Sequence, residues 1–305
     1  MSFPPEWPAH PSVAEFDALQ GAPARWIEVV SALGARYSSA PAVAAGEGTV
    51  LVALLGRELV IKLYPPFLRD HSAFERAMLA HLHGRLSLPT PRMLDSDEHA
   101  GWSFLVMTQL PGTPLDRVWP SLSQAERCEV LHSLGHLAGQ VHGLPLGPMS
   151  DLAPRWVDFL QGQRESCHQR QQRTGLPAHL LAQLASFLQG PVPEGPEVIL
   201  TGEYTPFNLL HQDGALSAMF DFGDGLVGPR EYDWLGPLCF LSAGDAQRID
   251  ASFDGYHGRP FDRRQREPLL RLLLLHRYSH LKAQIAVPGW QAAPHFSALA
   301  ALSWP

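Results

Sequence analysis

Three oxygen-bearing side chains stand out in residues 198–223, VILTGEYTPFNLLHQDGALSAMFDFG: Glu203, Asn208 and Asp221. A carboxamide and a carboxylate, Asn208 and Asp221, suit a hard cation such as Mg²⁺, which keeps several waters and takes the rest of its shell from phosphates. Glu203 lies five residues before Asn208 on a loop leaving a strand, where a general base can meet an acceptor hydroxyl.

The elements that position these groups are short apolar runs separated by turn residues. Residues 198–200, 209–211 and 217–222 read as strands. Asp213-Gly214 is a hairpin signal. A hairpin closed there brings Asn208, at the start of one strand, close to Asp221, at the end of the next.

A carboxylate, an Asn five residues on and, thirteen further, the Asp of a DFG segment resemble the catalytic and metal-binding segments of the protein-kinase-like fold. Within that fold, GPREYDW after the DFG segment and VHGLPLG upstream are most similar to the aminoglycoside phosphotransferase family of small-molecule kinases. One element departs from its pattern: the family has His-Gly-Asp where this chain has Thr201-Gly202-Glu203. The resemblance implies an α+β, two-lobe fold, with a small antiparallel β-sheet in the N-lobe and a mostly helical C-lobe. It places a nucleotide-binding lobe at residues 1–108, a hinge at 109–112 and a catalytic, acceptor-binding lobe at 113–305. It implies ATP and Mg²⁺ as cofactors, Glu203 as the catalytic base, and transfer of the γ-phosphate to a hydroxyl of an aminoglycoside-like or other small polar acceptor. The alternative, motivated by Thr201 and Glu203, is a nucleotide-binding module with attenuated or no transfer.

Upstream, residues 49–55 and 58–64 form a β-hairpin by pattern, turning at Gly56-Arg57. Lys62 falls inside its second apolar run, in a chain with only one other lysine, Lys282. A lysine there either snorkels from an edge strand or has a buried partner. The resemblance implies the second: Lys62 holds the α- and β-phosphates and pairs with Glu75, on an amphipathic helix beginning near Ser72. Gly46 and Gly48 precede the hairpin. Two glycines before a strand are by themselves a turn, but such a loop can also present N–H groups to phosphate. Residues 91–94 and 102–108 read as two further strands around a polar turn at 95–101. The breaker-rich segment after them is where the family offers backbone groups to adenine, here Gln109 and Leu110.

Residues 24–37 have helical spacing, Ser123 and Glu126 form a capping box opening a helix, and residues 155–173 and 176–188 read as two more helices. Asp158 and Glu165 on the first of these are solvated carboxylates or, by resemblance, contacts for a cationic acceptor. Asp233 of GPREYDW has a structural role by resemblance or caps a helix. Residues 267–285 read as a buried closing helix. His132/His136 and His276/His280 stand at i, i+4, but neither pair has the HExxH glutamate, so packing or surface roles are favoured over metal binding.

Composition narrows the partners. A net charge of −7 and the absence of basic runs argue against nucleic acid and are compatible with a cationic acceptor. No apolar stretch is long enough for a membrane span. The N-terminal residues lack a signal-peptide pattern, and three cysteines without metal-ligand spacing read as reduced, which together point to the cytoplasm.

Overall fold

Alternating burial along the hairpin at residues 49–64 decides how the first part of the chain layers. The computed structural model describes residues 7–46, 48–202 and 204–305. It divides into two compact units. The first holds the chain up to Arg85 together with Pro89–Pro111 and Met219–Asp224; the second holds Leu86–Leu88, Gly112–Ala218 and Gly225–Pro305.

In the first unit, strands β1 (Ala42–Ala44), β2 (Leu51–Leu55), β3 (Leu59–Tyr64), β4 (Met93–His99) and β5 (Trp102–Thr108) form one antiparallel sheet in the order β1-β2-β3-β5-β4. Leu51, Ala53 and Leu55 of β2, Leu59, Ile61 and Leu63 of β3, and Trp102, Phe104 and Val106 of β5 share one apolar cluster. They face helices α1 (Val13–Gln20) and α2 (Ile27–Gly34), which add Phe16, Leu19, Val29 and Val30. Side chains alternate along a strand, so Lys62 and Tyr64 leave β3 on the other face. Helix α3 (Arg69–Leu82) lies there and buries Phe74, Met78, Leu79 and Leu82.

Two expectations change here. The polar residues 95–99 are strand and not turn: β4 is an edge strand, exposed enough to carry Asp95, Asp97 and Glu98, with a bulge between Met93 and Asp95. The leading helix is shorter than residues 24–37 and is preceded by α1, whose Ser12–Glu15 capping box is complete.

The second unit contains β6 (Thr113–Pro114), β7 (Glu197–Leu200), β8 (Leu209–Gln212), all but the last residue of β9 (Ala215–Met219), and β10 (Leu226–Pro229). They make a three-stranded sheet β6-β8-β9 and a β7/β10 pair. Its long helices are α4 (Gln124–His142), α5 (Trp156–Arg173), α6 (Ala246–His257), α7 (Arg266–Leu274) and α8 (Phe296–Ser303). Both hydrogen bonds of the Ser123–Glu126 capping box open α4. A core of Trp234, Leu238, Phe253, Leu269, Leu270, the four leucines at 272–275, Phe296, Leu299 and Trp304 holds α6, α7 and α8.

Three segments differ from their sequence reading. Residues 176–188 are helical as read but form two short helices, Ala178–Leu181 and Leu184–Phe187, in place of one. The closing helix over 267–285 stops at Leu274, because the next residues turn onto Tyr232: His276 stacks on its ring at 4.6 Å and the Arg277 N–H reaches its hydroxyl at 3.3 Å. The strand over 217–222 ends at Met219. Asp221 lies beyond it with a positive φ, a left-handed conformation that ends a strand and that Asp adopts more readily than most residues.

Candidate active site

In the first unit, β3 and α3 build a buried ion pair. Lys62 Nζ lies 2.7 and 2.9 Å from the two oxygens of Glu75 and 2.8 Å from Asp221 Oδ1. Lys62 is 5% exposed and Glu75 is fully buried, whereas the Asp221 side chain is 41% exposed. Glu75 also accepts a hydrogen bond from the Tyr64 hydroxyl and a long one, 3.5 Å, from the Phe222 N–H. Burial alone would lower the Lys62 pKa, but Asp221 and Glu75 together hold it above its ordinary value. Burial raises Glu75, to about 7, with the Asp221 charge adding and Lys62 opposing. The result is a cation fixed at its root by an inaccessible carboxylate, with a second, accessible carboxylate beside it.

The other sequence candidates in this unit are distributed around the sheet. Gly46 and Gly48 lie on the loop from β1 to β2. A Cβ on Gly46 would meet nothing within 4 Å, so the glycine leaves open space and relieves no clash. The Gln20 side-chain amide, at the end of α1, donates to the carbonyls of Gly48 and Val50 and ties the loop to that helix. After β5, the Gln109 N–H donates to the Glu58 carbonyl at 2.7 Å, so that amide is committed within the unit, and Leu110 follows half-buried.

In the second unit, Asn208 leads into β8, its N–H bonded to the Thr205 carbonyl at 3.2 Å. The β8/β9 turn is Asp213-Gly214, with φ positive at both residues as a two-residue hairpin turn requires. Thr201 and Gly202 are anchored by a distant carboxylate: Asp233 accepts the Thr201 N–H at 3.0 Å and the Gly202 N–H at 2.7 Å. Asp233 is 2% exposed and also meets His142 Nε2 at 3.0 Å. It therefore serves the loop; the helix-cap alternative does not hold. Glu203, the expected base, lies outside the described residues.

Residues 40–269, more than half of the chain, match the model of the phosphotransferase enzyme family. The chain belongs to this family. No curated protein matches it in sequence. Among solved structures, the streptomycin–ATP complex of APH(2")-IIa is 15% identical with a TM-score of 0.64, covering 85% of this chain and 94% of that one. APH(3'')-Id from Streptomyces rimosus, in complex with ADP and streptomycin, is 18% identical at TM-score 0.62, covering 82% and 98%. Macrolide 2'-phosphotransferase MphH from Brachybacterium faecium is 19% identical at TM-score 0.56, covering 92% and 98%. These likenesses are in fold, the protein-kinase-like fold of phosphotransferases, with its antiparallel sheet and helical second part.

For a phosphotransferase-family member, the remaining sequence candidates are occupied locally. Asp158 is held by Arg155 through contacts of 2.6 and 2.8 Å, and Glu165 accepts from the Gln161 amide at 2.7 Å. Among the described residues no group of three His, Cys, Asp or Glu side chains could hold a metal. His132 instead lies 3.5 Å from Asp254, and His276 on Tyr232. No helix among the described residues is long and apolar enough to cross a membrane. Sequence reading missed Tyr64, His142 and Tyr256. Tyr64 was legible in principle, since period two puts it on the same strand face as Lys62.

Proposed function

We propose that the protein is an ATP-dependent small-molecule kinase that transfers the γ-phosphoryl group to a hydroxyl of a small polar acceptor. The observation that carries this reading is Lys62 fixed by buried Glu75 with accessible Asp221 beside it, in a chain of the phosphotransferase family. Lys62 stays charged; its three donors are taken up by Glu75 and Asp221, so it would reach phosphate oxygens by exchanging the accessible Asp221 contact while Glu75 keeps its orientation. Asp221 and Asn208 offer one carboxylate and one carboxamide, a hard-oxygen set that fits Mg²⁺. When bound, that cation neutralises charge on the phosphates. The Gly46–Gly48 loop would cover the phosphates, and the Leu110 amide is the better of the two adenine candidates because that of Gln109 is spent on Glu58.

Glu203 would orient the acceptor hydroxyl and take its proton. Glu and Asp have nearly the same intrinsic pKa, so the base is chemically competent. The added methylene displaces the carboxylate by about 1.5 Å unless the loop compensates, and a misplacement of about 1 Å costs on the order of a hundredfold. That cost is what motivates the second reading, a nucleotide-binding module with attenuated or no transfer; because Glu remains a competent base, a working or attenuated kinase is the reading kept.

The similar structures include complexes with streptomycin and a macrolide 2'-phosphotransferase, so both aminoglycosides and macrolides belong among the acceptors tried. The pairing of Asp158 with Arg155 removes one of the carboxylates offered for a polycationic acceptor. A thermal-shift screen with Mg²⁺·ATP and acceptors tests the proposal. At about a hundred times Kd a ligand adds about 2.7 kcal/mol of stability, and no shift with any nucleotide would overturn both readings.

A further inference from the structure

Helices α4 and α6 cross with their backbones in contact, and two glycines permit it. A Cβ on Gly135 of α4 would lie 2.1 Å from the Ser252 carbonyl oxygen, and one on Gly255 of α6 would lie 2.0 Å from the His132 carbonyl oxygen. This approach seats Tyr256, the residue after Gly255, against the last turn of α4. Its hydroxyl lies 2.8 Å from His142 Nδ1, and the two rings meet edge to face at 5.4 Å.

The direction of the hydrogen bonds follows from the far end. The Asp233 carboxylate only accepts, and it already takes the N–H groups of Thr201 and Gly202. His142 must therefore present Nε2–H to it, at 3.0 Å. In the neutral ring that leaves Nδ1 as an acceptor, and the Tyr256 hydroxyl supplies its hydrogen. The chain of contacts runs Tyr256 O–H, His142, Asp233, then the backbone of Thr201 and Gly202, which leads into position 203. Gly202 has a positive φ, which glycine adopts without steric cost.

We propose that Tyr256 is a positioning residue for phosphoryl transfer: it holds His142 through Nδ1, and through Asp233 it holds the backbone of Thr201 and Gly202, the residues that precede Glu203 in the chain. This rests on the kinase reading for its effect on rate, but the relay itself can be tested without turnover.

Tyr256→Phe removes the hydroxyl and keeps the ring. Expected results are amide hydrogen exchange at Thr201 and Gly202 faster by about fivefold, the worth of roughly one hydrogen bond, and a kcat at least about fivefold lower with the KM for ATP unchanged. Unchanged exchange at both amides would overturn the relay. In a His142→Gln background, where the amide can donate to Asp233 without help, Tyr256→Phe should add nothing; additive effects would contradict the proposal. Should the variants not fold, the ¹⁵N spectrum of the wild-type His142 ring decides alone: hydrogen on Nε2 is expected, and hydrogen on Nδ1 overturns it. If the wild type transfers no phosphate while the exchange and tautomer results hold, the kinase reading has failed and the relay has not.

Discussion

Tyr64 and Glu75 are joined across the sheet–helix boundary, the hydroxyl donating to the carboxylate oxygen Oε2 while Lys62 spans both oxygens. Glu75 is fully buried, and a carboxylate removed from water needs every acceptor position answered. Tyr64 answers one that Lys62 alone leaves weak. Tyr64→Phe is expected to cost about 1–3 kcal/mol of stability, seen as a lower denaturation midpoint at unchanged m-value, and to raise the KM for ATP. An unchanged midpoint would remove Tyr64 from this account.

Lys62 and Glu75 separate fold from function when changed in combination. Lys62→Met leaves Glu75 buried without its cation and is expected to cost up to about 3–5 kcal/mol, less as Glu75 takes up a proton. Lys62→Met with Glu75→Leu removes both charges and should recover most of that stability. Neither variant should show the thermal shift with Mg²⁺·ATP. A shift retained in the double variant would mean that Lys62 does not hold the nucleotide.

The α4/α6 crossing has no room for a methyl group at Gly135 or Gly255. Alanine at either position is expected to destabilise by about 1–3 kcal/mol or more, because a backbone carbonyl and not a flexible side chain must give way. Equilibrium denaturation of Gly135→Ala and Gly255→Ala checks this; stability equal to wild type would show that the helices can separate freely.

His257 packs against Trp234 and Tyr256 on α6. Burial, with the nearby charges of Arg230 and Arg259, lowers its pKa to about 4. The unfolded chain takes up this proton near pH 6.5 and the folded one resists until about pH 4. The folded state thus has its full advantage above pH 6.5 and loses it progressively as the pH falls towards 4. Denaturation midpoints between about pH 7 and about pH 4.5 should fall less steeply in His257→Gln than in wild type; parallel curves would contradict the assignment.

Much of this architecture is legible in sequence where the signal is local. Ser123 and Glu126 announce α4, Asp213-Gly214 announces a hairpin, and period two in residues 59–64 sets Lys62 apart from Leu59, Ile61 and Leu63. The same signal at Ser12 and Glu15 announces α1. Polarity misleads at residues 95–99, because an edge strand tolerates what a central strand would not. The break after Leu274 has no local mark; Tyr232, far away in the chain, draws His276 and Arg277 out of helix. His142 and Tyr256 likewise acquire their roles only from the α4/α6 crossing. Glu203 is fixed by position in the sequence alone.

The central claim is phosphoryl transfer, and the most direct measurement is ³¹P NMR of Mg²⁺·ATP with a panel of aminoglycosides, macrolides, amino alcohols and sugars, for wild type and Glu203→Gln. The account predicts a phosphorylated acceptor with the wild type, and formation at least about a hundredfold slower in Glu203→Gln, with the nucleotide thermal shift preserved in both. No phosphorylated acceptor across the panel, or equal rates in the two proteins, would contradict it.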